Sequence, residues 1–334
     1  MTYPRSHLVD DHAGGCYHVV SRCVRRAWLC GRDASTGRNF EHRRRWIEDR
    51  IHELSKVFAV SIYSYAVMSD HYHMVLAMEP QLARTWTDEE VAGKWLSIYP
   101  GRKPRKPDSN VNASRKAALI ADPVQLAKIR HRLGSLSWLM RSINERLARW
   151  ANEEDGCTGR FWEGRFSSQV LLDDNALLAC MVYVDLNPVR AGLANDLADS
   201  KHTSVRHRIS LQASSQMMNP LNGSSDDRGI LPDLTVADYL DIVRWTAESQ
   251  SDYRRGIKLK CPDALTTRDL DAEVWISEYL PRPHHWQRAV GRKNALQDHA
   301  RNIGQRWIKR CVKIRSGRQH PDPFTHPPTP PRKK

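Results

Sequence analysis

The sequence lacks any apolar run near the roughly 18 residues that a membrane-spanning helix needs. Its first residues, MTYPRSHLVDDHAGG, also lack the apolar stretch of a secretory signal peptide. We therefore expect a cytoplasmic protein with no membrane partner. At 40% hydrophobic residues the chain can nevertheless bury a core, which excludes wholesale disorder.

The cysteines also lack the spacing that is typical of zinc ligands. Cys16, Cys23 and Cys30 recur every seventh residue, whereas paired zinc ligands usually have only about two to four residues between them. The odd total of seven cysteines fits a reducing compartment, where disulfides are rare. We interpret these cysteines as packing residues.

Acidic residues are fewer than basic ones, with 38 Asp and Glu against 52 Lys and Arg. The resulting formal charge of +14 favours polyanionic partners. The excess is concentrated in residues 102–149, here called the basic region, which hold twelve Lys or Arg against three Asp or Glu. Trp138 and Trp150 lie within or beside it. Cations interleaved with aromatic rings suit a nucleic-acid groove, and such binding should weaken steeply with salt. A solvated helical surface is an equal alternative.

The apolar pattern predicts alternating strands and helices over the first 200 residues. The predicted elements are a strand at 18–22, a helix at 39–58, strands at 60–67 and 71–78, an irregular insertion at about 80–122, a helix at 124–154 with a break at 134–135, a loop and strand at 159–172, and a helix that starts at 173–174 and stops before Pro188. This order predicts an α+β fold, a small antiparallel sheet with helices on one face.

The composition changes after residue 209. We predict a catalytic unit at 1–209, a polar linker at 210–232, a mostly helical basic appendage at 233–318 and a disordered Pro-rich tail at 319–334. In the alternative, residues 235–248 pack on the catalytic sheet through Val236, Leu240 and Val243, and the chain is one domain.

His71 and His73 are two residues apart on a predicted strand, so their side chains point to the same face. Two imidazoles on one face can chelate a divalent ion. The competing interpretation is a pair of half-exposed strand histidines without a ligand.

Tyr183 and Asn187 are four residues apart near the end of a predicted helix and share one side of it. Asn187 could complete a metal site with the two histidines. A phenol with an ordinary pKa near 10 is a poor nucleophile, but a nearby metal favours its phenolate. In the competing interpretation, Tyr183 is a tyrosine at the edge of the core, and Asn187 is an ordinary helix end before Pro188.

Five segments in order resemble the single-tyrosine HUH transposases of the insertion sequence 200 type, and most of all the REP-associated tyrosine transposases. The segments are GCYHVVSR at 15–22, VMSDHYHMVL at 67–76, LSWLMRSINERLARW at 136–150, GRFWEGRF at 159–166 and MVYVDLNPVRAGL at 181–193. The resemblance covers about residues 10–209 and does not reach the C-terminal third.

The resemblance implies a ferredoxin-like antiparallel sheet with the nucleophilic tyrosine on a separate helix. It assigns the paired histidines to His71 and His73, the nucleophile to Tyr183 and the third metal ligand to Asn187, with Mg²⁺ or Mn²⁺ as the metal. Tyr72 stands between the histidines where many relatives have an apolar residue. The implied reaction is cleavage and transfer of single-stranded DNA, often beside a hairpin, through a 5′-phosphotyrosine.

Candidate DNA contacts come from two segments. Arg102, Lys103, Arg105, Lys106 and Arg141 belong to the basic region, and Arg160, Trp162 and Arg165 belong to the loop GRFWEGRF. The aromatic residues of that loop could equally fill the core. Two other functions stay open, a non-catalytic DNA-binding regulator on the same fold and a metal-dependent nuclease that uses water. The sequence leaves monomer and homodimer open.

Overall fold

The computed structural model describes residues 13–24, 29–33, 36–101, 110–210, 217–222, 231–254, 260–280 and 287–305. Its elements, in chain order, are β1 (Gly15–Arg22), α1 (His42–Ser55), β2 (Val60–Val67), β3 (His71–Met78), α2 (Pro80–Thr85), α3 (Asp88–Ile98), α4 (Val111–Ile120), α5 (Pro123–Leu133), α6 (Leu136–Glu154), β4 (Ser167–Leu171), α7 (Asp174–Arg190), α8 (Ser204–Ser210), β5 (Met217–Met218), β6 (Leu231–Thr235), α9 (Val236–Arg254), α10 (Asp263–Thr266), α11 (Ala272–Val274), a π-helical turn (Trp275–Tyr279), β7 (Ala289–Val290) and α12 (Lys293–Asn302). No helix among these residues has the length and apolar character needed to cross a membrane.

Among the described residues the main sheet has five strands in the order β2-β3-β1-β4-β7. The first four pair antiparallel, whereas β7 pairs parallel with β4. The fold is therefore α+β, as predicted, but the sheet is mixed rather than purely antiparallel. The two-residue strand β7 comes from the C-terminal third, whose short strand the apolar pattern does not reveal.

Helices cover both faces of the sheet, so the prediction of helices on one face is wrong. Alternate residues of β3 enter two different cores: Tyr72, Met74 and Leu76 join α1, α3, α5 and α6, while Val75 and Ala77 join α7 and α9. All eight positions of β2 and of β3 are consequently buried. The strand sequences VSIYSYAV and HYHMVLAM contain no Asp, Glu, Lys or Arg, which is typical of strands covered on both sides.

The predicted insertion at 80–122 is largely helical, because it holds α2, α3 and α4. The start of α3 carries a complete capping box: Thr87 accepts from the backbone of Glu90, and the Glu90 side chain accepts from the backbone of Thr87. This Thr-x-x-Glu signal is present in the sequence and outweighs the irregular composition around it. Residues 102–109 of the insertion lie outside the described residues.

The structure confirms the predicted strands at 60–67 and 71–78, the break between α5 and α6, and the N-cap of α7. At that cap, the side chain of Asp173 accepts a hydrogen bond from the backbone N–H of Ala176. The predicted stop before Pro188 is wrong, since α7 continues to Arg190. Pro188 lacks an N–H and so removes one helical hydrogen bond, but it sits only two residues from the end of the helix. Residues 183, 187 and 190 therefore stay in one helical register.

Parts of the C-terminal third pack on the same core. On α9, Tyr239, Ile242 and Val243 are fully buried against α7, and β7 extends the main sheet. Asn222, in the predicted linker, bonds the backbone of β2 at Val60 and Ile62. The apolar face of α9 therefore packs on the core that contains α7. The tail at 319–334 lies outside the described residues, and the proposed domain boundaries stay a prediction.

A buried carboxyl joins α7 to its neighbours. Asp185 is fully buried, accepts from Ser64 at 2.9 Å and from Tyr239 at 2.5 Å, and also accepts from Ser204. Burial raises the pKa of Asp185. Since a buried carboxyl without donors is costly, this network ties β2, α8 and α9 to the helix that carries Tyr183.

Tyr239→Phe should lower the free energy of unfolding by about 2 kcal/mol, because it removes one donor from a buried carboxyl. Urea unfolding followed by circular dichroism measures the change. Tyr99→Phe is the control: its hydroxyl bonds Ser142 in a partly buried setting, and its loss should cost about 0.5–1 kcal/mol. Equal losses in the two variants would contradict the special role of Asp185.

A fragment of residues 1–209 should be markedly less stable than the full chain. It loses the buried face of α9, the Tyr239 donor to Asp185 and the strand β7. Thermal melting and gel filtration of the fragment provide the measurement. A soluble fragment that melts cooperatively at the temperature of the full chain would instead support the boundary at 209.

Candidate active site

The two histidines of β3 lie on the face of the sheet that α7 covers. Their rings are 4.8 Å apart between centroids, and both side chains are buried. Tyr72 between them points to the opposite face, where its hydroxyl donates to Asn144 at 2.7 Å. The same-face prediction is confirmed, but both histidines are buried rather than half-exposed.

The packing of α7 brings Tyr183 to these histidines. Its ring centroid lies 6.0 Å from that of His73, and the same distance from that of His18 on β1. Asn187 follows one helical turn later and is 7% exposed. Within the described residues the Nδ2 atom of Asn187 has no hydrogen-bond partner. Residues far apart in sequence thus meet between one strand and one helix.

Each histidine of the pair has its Nδ1 atom occupied by a neighbour. His71 Nδ1 lies 2.5 Å from a carboxylate oxygen of Asp70, whose other oxygen pairs with Arg22 at 3.0 Å. His73 Nδ1 lies 2.9 Å from His18 Nε2. Among the described residues His73 Nε2 has no hydrogen-bond partner. An imidazole held at Nδ1 presents Nε2 as a ligand atom in a fixed direction.

Electrostatics keep two imidazoles of this cluster neutral, those of His73 and His18. Burial lowers the pKa of His73 well below its ordinary value, and the nearby His71, His18 and Arg22 lower it further. Burial also lowers the pKa of His18 to about 4. A neutral imidazole has a lone pair to offer, which is the form that binds a metal.

The donor set limits the kind of metal site that can form here. Across the part of the chain that the structure describes, no group of three or more His, Cys, Asp or Glu side chains is arranged to hold a metal ion. A cation would depend on the imidazoles of His71 and His73, the amide oxygen of Asn187, and oxygens from water or substrate. The unpartnered Nε2 of His73 fits such an open site.

Sequence reasoning missed four residues around this site. Arg190 lies two turns beyond Tyr183 on α7, and its guanidinium is 5.5 Å from the centre of the Tyr183 ring. Its seven-residue spacing from Tyr183 was a usable signal, since such residues share a helical face. Arg22 and His18 could be assigned only once the pairing of β1 with β3 was known, because Arg22 lies opposite His71 and His18 opposite Val75. Asp70 directly precedes His71 in the sequence, but its contact with the imidazole is seen only in the structure.

The loop GRFWEGRF is tied to the end of β1 beside His71. The amide of Glu163 donates to the carbonyl of Arg22, and the amide of Val24 donates to the carbonyl of Phe161. Arg160 and Arg165 are exposed there. Trp162 is half-buried, donates to the carbonyl of Asn144 at 2.8 Å and packs edge-on against Tyr72. The two arginines remain available for an anion, whereas the indole already has protein partners.

The other candidate DNA contacts lie elsewhere. Arg141 is exposed on α6, which packs on the opposite face of the sheet from Tyr183, and it pairs with Glu145. Arg102, Lys103, Arg105 and Lys106 lie outside the described residues. DNA binding by all of these residues stays a prediction.

Comparisons with known proteins are sparse. No family model matches the chain, and no curated protein matches it. Among solved structures, a REP-associated tyrosine transposase bound to a REP hairpin is similar over 68% of this chain and 93% of that chain, with 13% identity and a TM-score of 0.38. At this identity and TM-score, however, family membership stays a hypothesis, and function has to be argued from the residues themselves.

Proposed function

We propose that the protein cleaves single-stranded DNA and joins strands through a covalent 5′-phosphotyrosine on Tyr183, acting as a metal-dependent transposase on hairpin-bearing DNA. The observation that carries this proposal is the position of the Tyr183 ring, 6.0 Å from the ring of His73 in a buried histidine cluster. Binding of DNA alone requires neither a buried histidine pair nor a tyrosine beside it.

Tyr183 performs the covalent step. Its phenol loses a proton, and its oxygen forms a bond to the DNA phosphorus. The bond from phosphorus to the 3′-side oxygen breaks, and that oxygen takes up a proton to become a 3′-hydroxyl. Attack by another 3′-hydroxyl reverses these steps and frees the phenol. Because the phosphotyrosine keeps the energy of the phosphodiester bond, joining of the DNA strands requires no nucleoside triphosphate.

His71, His73 and Asn187 would hold Mg²⁺ or Mn²⁺, which when bound supplies a Lewis acid for the scissile phosphate. The protein prepares these donors in advance. Asp70 fixes the ring of His71, and Arg22 keeps Asp70 in place. Burial keeps His73 neutral by lowering its pKa. Imidazole and amide side chains carry no negative charge, so these donors do not repel an incoming phosphate.

Arg190 is the side chain best placed to meet the substrate phosphate beside Tyr183. It is exposed, and its guanidinium lies 5.5 Å from the centre of the Tyr183 ring. A guanidinium matches phosphate geometry with two parallel N–H donors. Arg160 and Arg165 would extend this positive surface along the DNA beyond the end of β1.

Tyr183→Phe should abolish the covalent protein–DNA adduct and leave DNA affinity within about twofold, because the ring still packs against the histidines. A denaturing gel with end-labelled single-stranded DNA detects the adduct. Tyr99→Phe is the matched control and should form the adduct normally. An adduct that persists in Tyr183→Phe contradicts the nucleophile, and cleavage without any adduct in the wild type supports a water-using nuclease instead.

His71→Ala and His73→Ala should each reduce cleavage by at least about 100-fold, since removing one of so few donors weakens the metal site. Cleavage with and without EDTA, and with increasing Mn²⁺, gives the measurement, and excess Mn²⁺ should restore part of the activity. His131→Ala, at an exposed position on α5, should have no effect. Undiminished wild-type cleavage in EDTA would contradict the metal role.

Arg160→Gln and Arg165→Gln should weaken DNA binding without changing stability. For single strands, each lost phosphate contact should reduce the slope of log affinity against log salt by about 0.7. Arg45→Gln, at an exposed position on α1, is the control.

Trp162→Ala should instead lower the free energy of unfolding by about 2 kcal/mol, because the half-buried indole loses its packing. Salt titrations and urea unfolding separate the two effects, and an unchanged salt slope would exclude the loop as a phosphate contact.

A further inference from the structure

A group of half-buried aromatic rings lies on the face of the sheet opposite Tyr183. Trp95 on α3 and Trp138 on α6 have ring centroids 5.9 Å apart. Tyr99, one turn after Trp95, lies 4.5 Å from it between ring centroids. Both indoles rest on the core that contains α1, α3, α5 and α6, whereas Tyr183 belongs to the other core. These rings are therefore separate from the candidate active site.

Two arginines stack on the indoles. The guanidinium of Arg132, near the end of α5, lies 4.3 Å from the centre of the Trp138 ring and 5.6 Å from that of Trp95. The guanidinium of Arg141, one turn after Trp138 on α6, lies 5.0 Å from the centre of the Trp138 ring. We call the five residues Trp95, Tyr99, Arg132, Trp138 and Arg141 the tryptophan patch.

The tryptophan patch has an excess of positive charge. Within the described residues, Arg132 makes no ion pair with a carboxylate. Arg141 pairs with Glu145 at 3.3 Å, but the same carboxylate also pairs with Arg149. One carboxylate therefore serves two guanidinium groups while that of Arg132 stays without one. Such a surface attracts an anion.

A second aromatic cluster, on α1 and α6, differs in its charge. Trp46 and Trp150 have ring centroids 5.7 Å apart, and the guanidinium of Arg146 lies 4.8 Å from the centre of the Trp150 ring. His42, edge-on to Trp46, lies 2.9 Å from a carboxylate oxygen of Glu154. A carboxylate beside the rings disfavours a phosphate, so this cluster serves as a comparison.

We propose that the tryptophan patch binds single-stranded DNA at a site separate from Tyr183. Unpaired bases stack on aromatic rings whatever their sequence, and guanidinium groups beside the rings bind the phosphates that link the bases. A duplex keeps the faces of its bases stacked on one another and offers none to the indoles. The choice of DNA rests on the function proposed above, whereas the surface requires no chemistry at Tyr183.

The Pro-rich end of the chain is a poorer occupant of the tryptophan patch. Proline-rich segments bind grooves lined by aromatic rings, but residues 332–334 of this end are Arg-Lys-Lys. Their charge has the same sign as that of Arg132 and Arg141. Like charges repel, whereas the phosphates of DNA complement the two arginines.

Photo-cross-linking locates the bound bases without altering the protein. The full-length wild type is irradiated with an oligothymidylate of about twelve nucleotides, a length typical of single-strand sites, in which 5-iodouracil replaces some of the thymines. Mass spectrometry of protease digests then identifies the cross-linked peptides. We expect peptides that contain Trp95, Tyr99 or Trp138. Cross-links confined to other segments would overturn the proposal.

Substitution of Arg132 tests the phosphate contact. Arg132→Gln should weaken binding of the oligothymidylate about 3- to 10-fold and reduce the slope of log affinity against log salt by about 0.7. Fluorescence anisotropy of the end-labelled oligonucleotide measures both. Arg45→Gln, at an exposed position on α1, should change neither. An affinity and a slope that stay unchanged in Arg132→Gln would overturn the proposal.

Substitution of Trp95 tests the stacking of bases. Trp95→Leu should weaken binding about 10-fold, whereas Trp46→Leu, in the comparison cluster, should leave affinity within about twofold. Melting curves show whether both variants fold, and the wild-type cross-links decide the question if Trp95→Leu does not. Equal losses of affinity in the two folded variants would overturn the stacking role.

The outcomes separate this site from the proposed function. Tyr183→Phe should keep the cross-links to the tryptophan patch. Patch cross-links in a wild type that forms no phosphotyrosine adduct would support the patch and count against the proposed function. An adduct without patch cross-links would overturn the patch and leave the proposed function standing. A duplex of the same length that competes as well as the single strand would overturn the preference for unpaired bases.

Discussion

The burial of the sheet on both faces is the constraint on which the candidate site depends. A sheet covered on one face would leave His71 and His73 in water, where their protons exchange freely and their rings are unrestrained. Here α7 seals that face, and the histidines become buried polar groups that must find partners or ligands. The same packing that desolvates them also brings Tyr183 and Asn187 to them. The burial of the histidines and the assembly of the candidate site therefore have one cause, the packing of α7 on the sheet.

The surroundings of the two candidate ligands differ in a way that their spacing does not show. His71 is held by a carboxylate that is itself paired with Arg22, so negative charge stands behind its ring. His73 is held by another neutral imidazole, and burial keeps it uncharged. A cation in front of both would therefore meet one imidazole that is backed by a carboxylate and one that is backed by a second imidazole.

Local patterns sufficed for the parts of the fold whose signals lie within one segment. The strands at 60–67 and 71–78, the cap at Asp173 and the shared face of Tyr183 and Asn187 follow from periodicity and cap chemistry. Pairings between distant segments were beyond such reasoning. The register of β1 against β3, which reveals Arg22 and Val20 as neighbours of the histidines, is set by packing of the whole sheet. The continuation of α7 through Pro188 likewise depends on tertiary contacts that outweigh a local preference.

Two hydrogen bonds near the candidate site join positions that are far apart in the chain. Tyr239 reaches Asp185 across 54 positions, and Gln287 reaches Gln169 across 118. During translation, Tyr183 and the histidines of the site leave the ribosome before Tyr239 and Gln287 do. In a nascent chain, Tyr183 therefore lies on a helix that Tyr239 does not yet anchor at Asp185. The hydrogen bond from Tyr239 to Asp185 can form only after α9 has been synthesised.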